Sequence, residues 1–168
     1  MANTVQLRGH FGIKQSFNVS AATVATGWYA GELFKIASTP TQNSYTENFV
    51  EISATSGSAI MGMALENSSD VTTAVAGMTQ PSGSKVTLLH GHSDFEIING
   101  AATKCYVDTG VGNVEDASIM DTLYNDNGKW TISAGTDGEN FPEAYPIGFV
   151  TKVPSASNNY TLGVVLYG

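Results

Sequence analysis

The densest apolar stretch of the chain is Ala59-Ile60-Met61-Gly62-Met63-Ala64-Leu65, which ends at Glu66. A short apolar run bounded by turn residues predicts a strand buried on both faces. Within it, Gly62 marks a place where a backbone or a bulky neighbour comes close. A loop rich in Ser, Thr, Gly and Pro follows, Asn67 to Ser84, and then two alternating segments, Lys85 to His90 and Asp94 to Ile98, on either side of Gly91. Alternation across a short Gly-containing connection predicts a hairpin.

The same patterning extends outward. Glu32 to Ala37 predicts a first body strand and Tyr45 to Ile52 a second. Beyond the turn Asn99-Gly100, Ala102 to Asp108 predicts another strand. The segment Ser118 to Tyr124 has two readings: a short helical face of Ala117, Met120 and Tyr124, or one arm of a hairpin that turns at Asn125-Asp126-Asn127-Gly128 and returns along Lys129 to Ser133. The hairpin is preferred. Ile147 to Val153 and Tyr160 to Gly168 predict two further apolar strands, the last tied into a sheet. A Gly-containing buried strand, a polar loop and a Val/Leu-rich strand thus occur at 59–90 and again at 146–168. Internal duplication and the filling of a small barrel's interior both account for that order.

Residues 1–27 are sparser. Val5 and Leu7, Phe11 and Ile13, and Phe17 and Val19 are period-two pairs in a polar background, as in extended segments. Such pairs suit a frayed terminus or edge strand, or an arm that gains a partner by adding a strand to another chain's sheet. The fold expected is therefore all-β: a small β-barrel or β-sandwich body over 28–168 with little helix, preceded by an extended N-terminal arm, 1–27. The body admits a division into two subdomains, 28–98 and 99–168. Trp28 and Tyr29, set between Gly27 and Gly31, either cap the core or anchor a subunit contact.

Composition narrows the function classes. The chain has 168 residues, only 13% charged, and a net charge of −8 from 15 acids against 7 Lys and Arg. An acidic chain with its basic residues scattered singly is not expected to bind nucleic acid or an anionic membrane. Cys105 is alone, which forbids an internal disulfide, and its alternation with Val107 predicts burial. No charged start with an apolar run behind it opens the chain, and no stretch approaches the ~20 apolar residues of a membrane helix, so a soluble protein made in a cytosol is expected.

Reactive constellations are weak. His90-Gly91-His92-Ser93-Asp94 is the one cluster with metal-ligand side chains, but a turn at Gly91 would separate its ligands, so no metal site is assigned. Asp108, Glu115, Asp116, Asp121 and Asp126 lack the spacing of an EF-hand loop and read as turn acids. No Gly-x-Ser-x-Gly and no phosphate-cradling loop is present, and no His or basic cluster lies near Cys105. The expectation is a protein that is not an enzyme and carries no cofactor.

Ile60 to Glu66, then Lys85-Val86-Thr87-Leu88-Leu89-His90-Gly91-His92-Ser93-Asp94-Phe95-Glu96-Ile97, with Gly31 to Ile36 upstream, resembles the head decoration (cement) proteins of tailed bacteriophages, the lambda-type decoration protein among them. The likeness covers roughly 28–98. The loop 67–84 is longer than in that protein, and 99–168 has no counterpart there. The resemblance implies a structural protein on the outer capsid surface of the virion. It would sit as a homotrimer on the expanded shell and stabilise it against internal pressure, with the arm pairing to the major capsid protein. The arm residues would be Val5, Leu7, Phe11, Ile13, Phe17 and Val19. The alternative is a receptor- or glycan-binding module of a phage fibre or cell surface, stacking Trp28, Tyr29, Trp130 and Tyr145 on sugar. A third reading, a metal hydrolase, would use His90 and His92.

Overall fold

The computed structural model describes residues 2–9, 12–36, 49–52, 59–70, 74–75, 78–79, 85–134 and 145–167. The strands are β1 Thr4–Leu7, β2 Ile13–Val19, β3 Leu33–Ile36, β4 Phe49–Ile52, β5 Gly62–Ala64, β6 Ala74–Val75, β7 Met78–Thr79, β8 Lys85–His90, β9 Ser93–Ile98, β10 Thr122–Asp126, β11 Lys129–Thr131, β12 Gly148–Lys152 and β13 Thr161–Leu166. Among the described residues one short α-helix, α1 Ala21–Thr26, and three single 3-10 turns accompany them. The all-β class and the small barrel are as expected.

Two bodies share a wall. β2, β4, β3, β5 and β8 close into a five-stranded barrel, while β1, β9, β13, β12, β10 and β11 form a six-stranded sheet in that order. In the barrel, Phe17, Val19, Trp28, Phe34, Val50, Ala64, Val86 and Leu88 build one core. Leu33, Met63 and Leu89, from those same barrel strands, face the second core with Phe95, Ile97, Trp130, Leu162 and Val164 of the sheet. Neighbours in a strand point to opposite faces, so Leu33 and Phe34, Met63 and Ala64, and Leu88 and Leu89 divide between the two cores. That is why the central run is apolar without alternation: every residue of β5 is buried, on both sides.

Gly62 does what its position suggested. A Cβ there would lie 2.7 Å from the backbone oxygen of Leu89, on the neighbouring β8. Gly148 repeats the device on β12, where a Cβ would meet the oxygen of Val165 on β13. Both Gly-carrying strands therefore pair antiparallel with the Val/Leu-rich strand that follows. One pair belongs to the barrel and the other to the sheet.

Four expectations are corrected. The segments flanking Gly91 are strands, but not a hairpin: β8 pairs with β2 and β5, and β9 with β1 and β13. At Gly91, φ +81°, the chain crosses from barrel to sheet, a corner that alternation alone cannot distinguish from a turn. Ala102 to Asp108 is not a strand. Its described pairing is a single bridge between Tyr106 and Trp130, and its backbone runs irregularly around the end of the sheet. Residues 1–27 are not a separate arm: β1 lies against β9, β2 is a barrel stave, and α1 packs Val24 on the barrel core. Burial of Phe17 and Val19 favours that docking over free extension. A cut at 98/99 also misses the bodies, because the sheet takes β1 and β9 from the first part of the chain.

The hairpin 122–131 is present as preferred. Asn127 at φ +50° and Gly128 at φ +87° make a two-residue turn of the kind hairpins favour. The Gly128 oxygen accepts from the Leu33 N–H at 2.8 Å and so fastens this hairpin to the barrel.

Candidate interaction surface

The start of the chain is held by a buried amide clasp. Asn3, 3% exposed, donates through Nδ2 to the oxygens of Ala30, Thr103 and Asn99 Oδ1, at 3.0, 2.8 and 3.2 Å. Thr103 Oγ1 donates back to Asn3 Oδ1 at 2.7 Å. Asn67 Oδ1 accepts from the backbone N–H groups of Asn3 and Ala30, and its Nδ2 donates to the Asn3 oxygen. Asn99 Oδ1 accepts from the Cys105 N–H, while its Nδ2 reaches the oxygens of Ile97 and Tyr160. Buried amides with their partners in place fix a unique arrangement, and here they join segments far apart in sequence. Sequence reasoning missed all four residues, because no periodicity marks a polar side chain inside a loop.

This clasp defines the edge of the sheet. The Arg8 N–H donates to the Asp94 oxygen at 2.8 Å, which continues the β1–β9 ladder and sets its phase. In an antiparallel pair the bonding groups alternate. Thr4, Gln6 and Arg8 therefore bond toward β9, and Asn3, Val5 and Leu7 present their N–H and C=O outward. The Asn67 side chain takes the place of a neighbouring strand at Asn3. At Val5 and Leu7 the outer rim has no partner among the described residues. Their side chains are half-buried against the sheet core.

The opposite rim is closed. Along β11, the Val107 N–H donates to the Trp130 oxygen, the Trp130 N–H to the Cys105 oxygen, and the Ile132 N–H to the Gly112 oxygen. Covering one edge with irregular main chain is a usual protection against unwanted pairing. The barrel offers a different feature: Ile13 to Ser16 of β2 are exposed on both faces, Ile13 at 61%. There β2 pairs with β8 on one side, and its described pairing with β4 is confined to Asn18 and Val19.

The expected arm residues thus separate. Val5 and Leu7 line the sheet edge, Ile13 is exposed, Phe17 and Val19 are core, and Phe11 lies outside the described residues. Trp28 is 2% exposed; its Nε1 donates to the Glu66 oxygen and its ring meets Phe34 edge-on. It caps the core, and Tyr29 beside it is exposed. Of the rings expected on a sugar, Trp130 is fully buried as well, its Nε1 bonded to the Gly31 oxygen, and Tyr145 is exposed. With Trp28 and Trp130 both inside, those four rings do not form one stacking surface.

Other polar groups make contacts within the fold. Lys104 contacts Glu115 at 2.6 Å and Asp108 at 3.2 Å, and lies 4.3 Å from the centre of the Tyr160 ring. Its hydrogen bond to Glu115, with Asp108 assisting, raises its pKa against the opposing effect of burial. Tyr106 also donates to Glu115, at 3.1 Å, and burial raises the pKa of that phenol. Burial raises the Cys105 thiol far above its ordinary value, with Glu32 adding to the effect. Burial likewise raises Glu32, against the Tyr29 N–H and Lys129. His90 is half-buried in β8 and His92 is exposed. Among the described residues no group of three or more His, Cys, Asp and Glu is placed to hold a metal ion. None of their helices is long and apolar enough to cross a membrane.

Comparison with family models, curated proteins and solved structures returned no match for this chain.

Proposed function

We propose that this chain is a capsid decoration protein of a tailed bacteriophage, a homotrimer on the outer surface of the expanded shell that stabilises it against internal pressure. The observation that carries the reading is the exposed first half of β2. Ile13 to Ser16 offers an extended segment, exposed on both faces, on a rigid barrel. A segment of this kind pairs with the strand of another protein at little cost in conformational entropy, since it is already extended. The major capsid protein is the partner proposed for it. Binding to the expanded lattice and not to its precursor would stabilise the shell by mass action. The role requires no catalysis and no cofactor.

The test is the copy number of the chain in purified virions, relative to the major shell protein. Hundreds of copies at a simple ratio support decoration; a few copies point to a fibre, and absence removes the virion role. On shells lacking the protein, Ile13→Asp is expected to reduce occupancy at least tenfold without changing thermal stability. Unaltered occupancy would move the shell contact away from β2.

A further inference from the structure

We propose that the β1 rim is a self-pairing edge, joining two copies of this chain about a two-fold axis through Gln6. The inference is independent of the decoration reading. Only one rim of the sheet is open among the described residues, because Cys105, Val107 and Gly112 close the β11 side. A head-to-tail ring made by extending this sheet would need two open rims, so pairing through it is isologous.

The rim is self-complementary over Thr4 to Arg8. With Gln6 opposite Gln6 of the second copy, Val5 falls opposite Leu7 and exchanges both backbone bonds with it, and Leu7 does the same with Val5. The half-buried Val5 and Leu7 side chains then meet on the core face, where each already packs against its own sheet core. On the outer face Thr4 lies opposite Arg8, so no like charges are opposed, and the two Gln6 amides can each donate and accept. One step further out, Asn3 falls opposite Gly9. The Asn67 side chain occupies the rim at Asn3. Both outward groups of Asn3 are thus already used, so the pairing of the two copies ends at Thr4 and Arg8, short of Gly9.

The pair is weak, because so short a strand buries less than the ~1,200 Å² of standard interfaces. Two copies of net charge −8 also repel at long range, an effect that salt screens beyond roughly 8 Å at physiological strength. Association should therefore tighten with added salt.

Sedimentation equilibrium at concentrations up to about 1 mM, the range weak pairs occupy, provides the test. The full chain free in solution, away from the shell on which the proposed trimer would form, is expected to show a monomer–dimer equilibrium. Val5→Pro and Leu7→Pro each remove an outward N–H and leave the inward ladder intact. Each should abolish the dimer while the chain stays folded at a somewhat lower melting temperature, since both side chains pack on the sheet core. Register is read by cross-linking. Gln6 faces its own copy in a non-hydrogen-bonded pair, where side chains are closest, so Gln6→Cys should form a disulfide dimer under mild oxidation. Thr4→Cys should not, and buried Cys105 gives little background. A chain monomeric throughout the range, proline variants that still dimerise, or Thr4→Cys cross-linking as readily as Gln6→Cys would each overturn the proposal.

Discussion

Lys152 reaches Glu96 across the bare backbone of Gly163. In register Lys152 lies beside Gly163 and Gly163 beside Glu96, so β13 runs between the two charged side chains. The ammonium is still 3.3 Å from both carboxylate oxygens. From the other side, Arg8 contacts the same carboxylate at 2.5 Å. One acid thus spans the outer face of the sheet from β1 to β12. Gly163 is what leaves room, since a Cβ there would lie 2.6 Å from the Lys152 Cβ and from Thr151 Oγ1. Gly163→Ala should therefore destabilise the fold by about 1–3 kcal/mol, as overpacking does, measured as a lower urea midpoint. An unchanged midpoint would mean that the irregularity between Val150 and Lys152 relaxes to accept the methyl group.

The same triad sets a pH dependence. Burial by itself would raise the Glu96 pKa, but the hydrogen bonds from Arg8 and Lys152 outweigh it and the value is lowered from 4.5. A carboxylate with a lowered folded-state pKa adds stability that is complete above its unfolded value and is lost as the pH falls through the folded one. Glu96→Gln should cost stability at neutral pH and flatten the decline on acidification. Urea midpoints measured from neutral pH into the acid range check this; parallel curves for the two proteins would remove the triad as its source.

Asn67 is expected to matter more than any single surface charge. Removing its side chain leaves the backbone groups of Asn3 and the N–H of Ala30 without that partner inside the protein. Each buried orphan costs about 1–3 kcal/mol. Asn67→Ala should lower the melting temperature markedly and raise hydrogen exchange at β1 above that of β13. Protection of β1 equal to that in the parent chain would show that β9 pairing alone holds the strand.

Cys105 should report global unfolding. With the thiol fully buried and its pKa raised by burial, the reactive thiolate is absent from the native state. Labelling by a soluble thiol reagent should follow the unfolding equilibrium as denaturant is added. Fast labelling in native buffer would expose a local opening of the 103–107 segment.

Lys104 offers a test at the opposite end of the pH scale. Its pKa is raised by Glu115, so its contribution is complete below the unfolded value and lost as the pH rises through the folded one. Lys104→Met keeps the stem but not the charge, and should cost about 1.5–3 kcal/mol at neutral pH, the range for hydrogen bonds to charged groups. Coinciding melting curves for this variant and the parent would assign the Glu115 contact no net value.

The sequence by itself determined what is local. Apolar runs and turn residues marked the strands at Leu33, Gly62, Lys85, Gly148 and Thr161, because burial on one or both faces imposes a period that the residues must carry. It also marked Gly62 as a close approach, and Asn125-Asp126-Asn127-Gly128 as the turn of a hairpin. Tertiary structure alone decided pairing. Nothing in the alternation of β8 and β9 states whether they join each other or two different sheets, since either arrangement buries the same side chains. Position within a sheet is also non-local, so β1 and the first half of β2 read alike as sparse extended segments, though one is docked on the sheet by Asn3 and the other lies exposed along barrel strand β8. The clasp of Asn3, Asn67, Asn99 and Thr103 was invisible for the same reason: a buried amide is defined by its partners, and those lie up to 100 residues away.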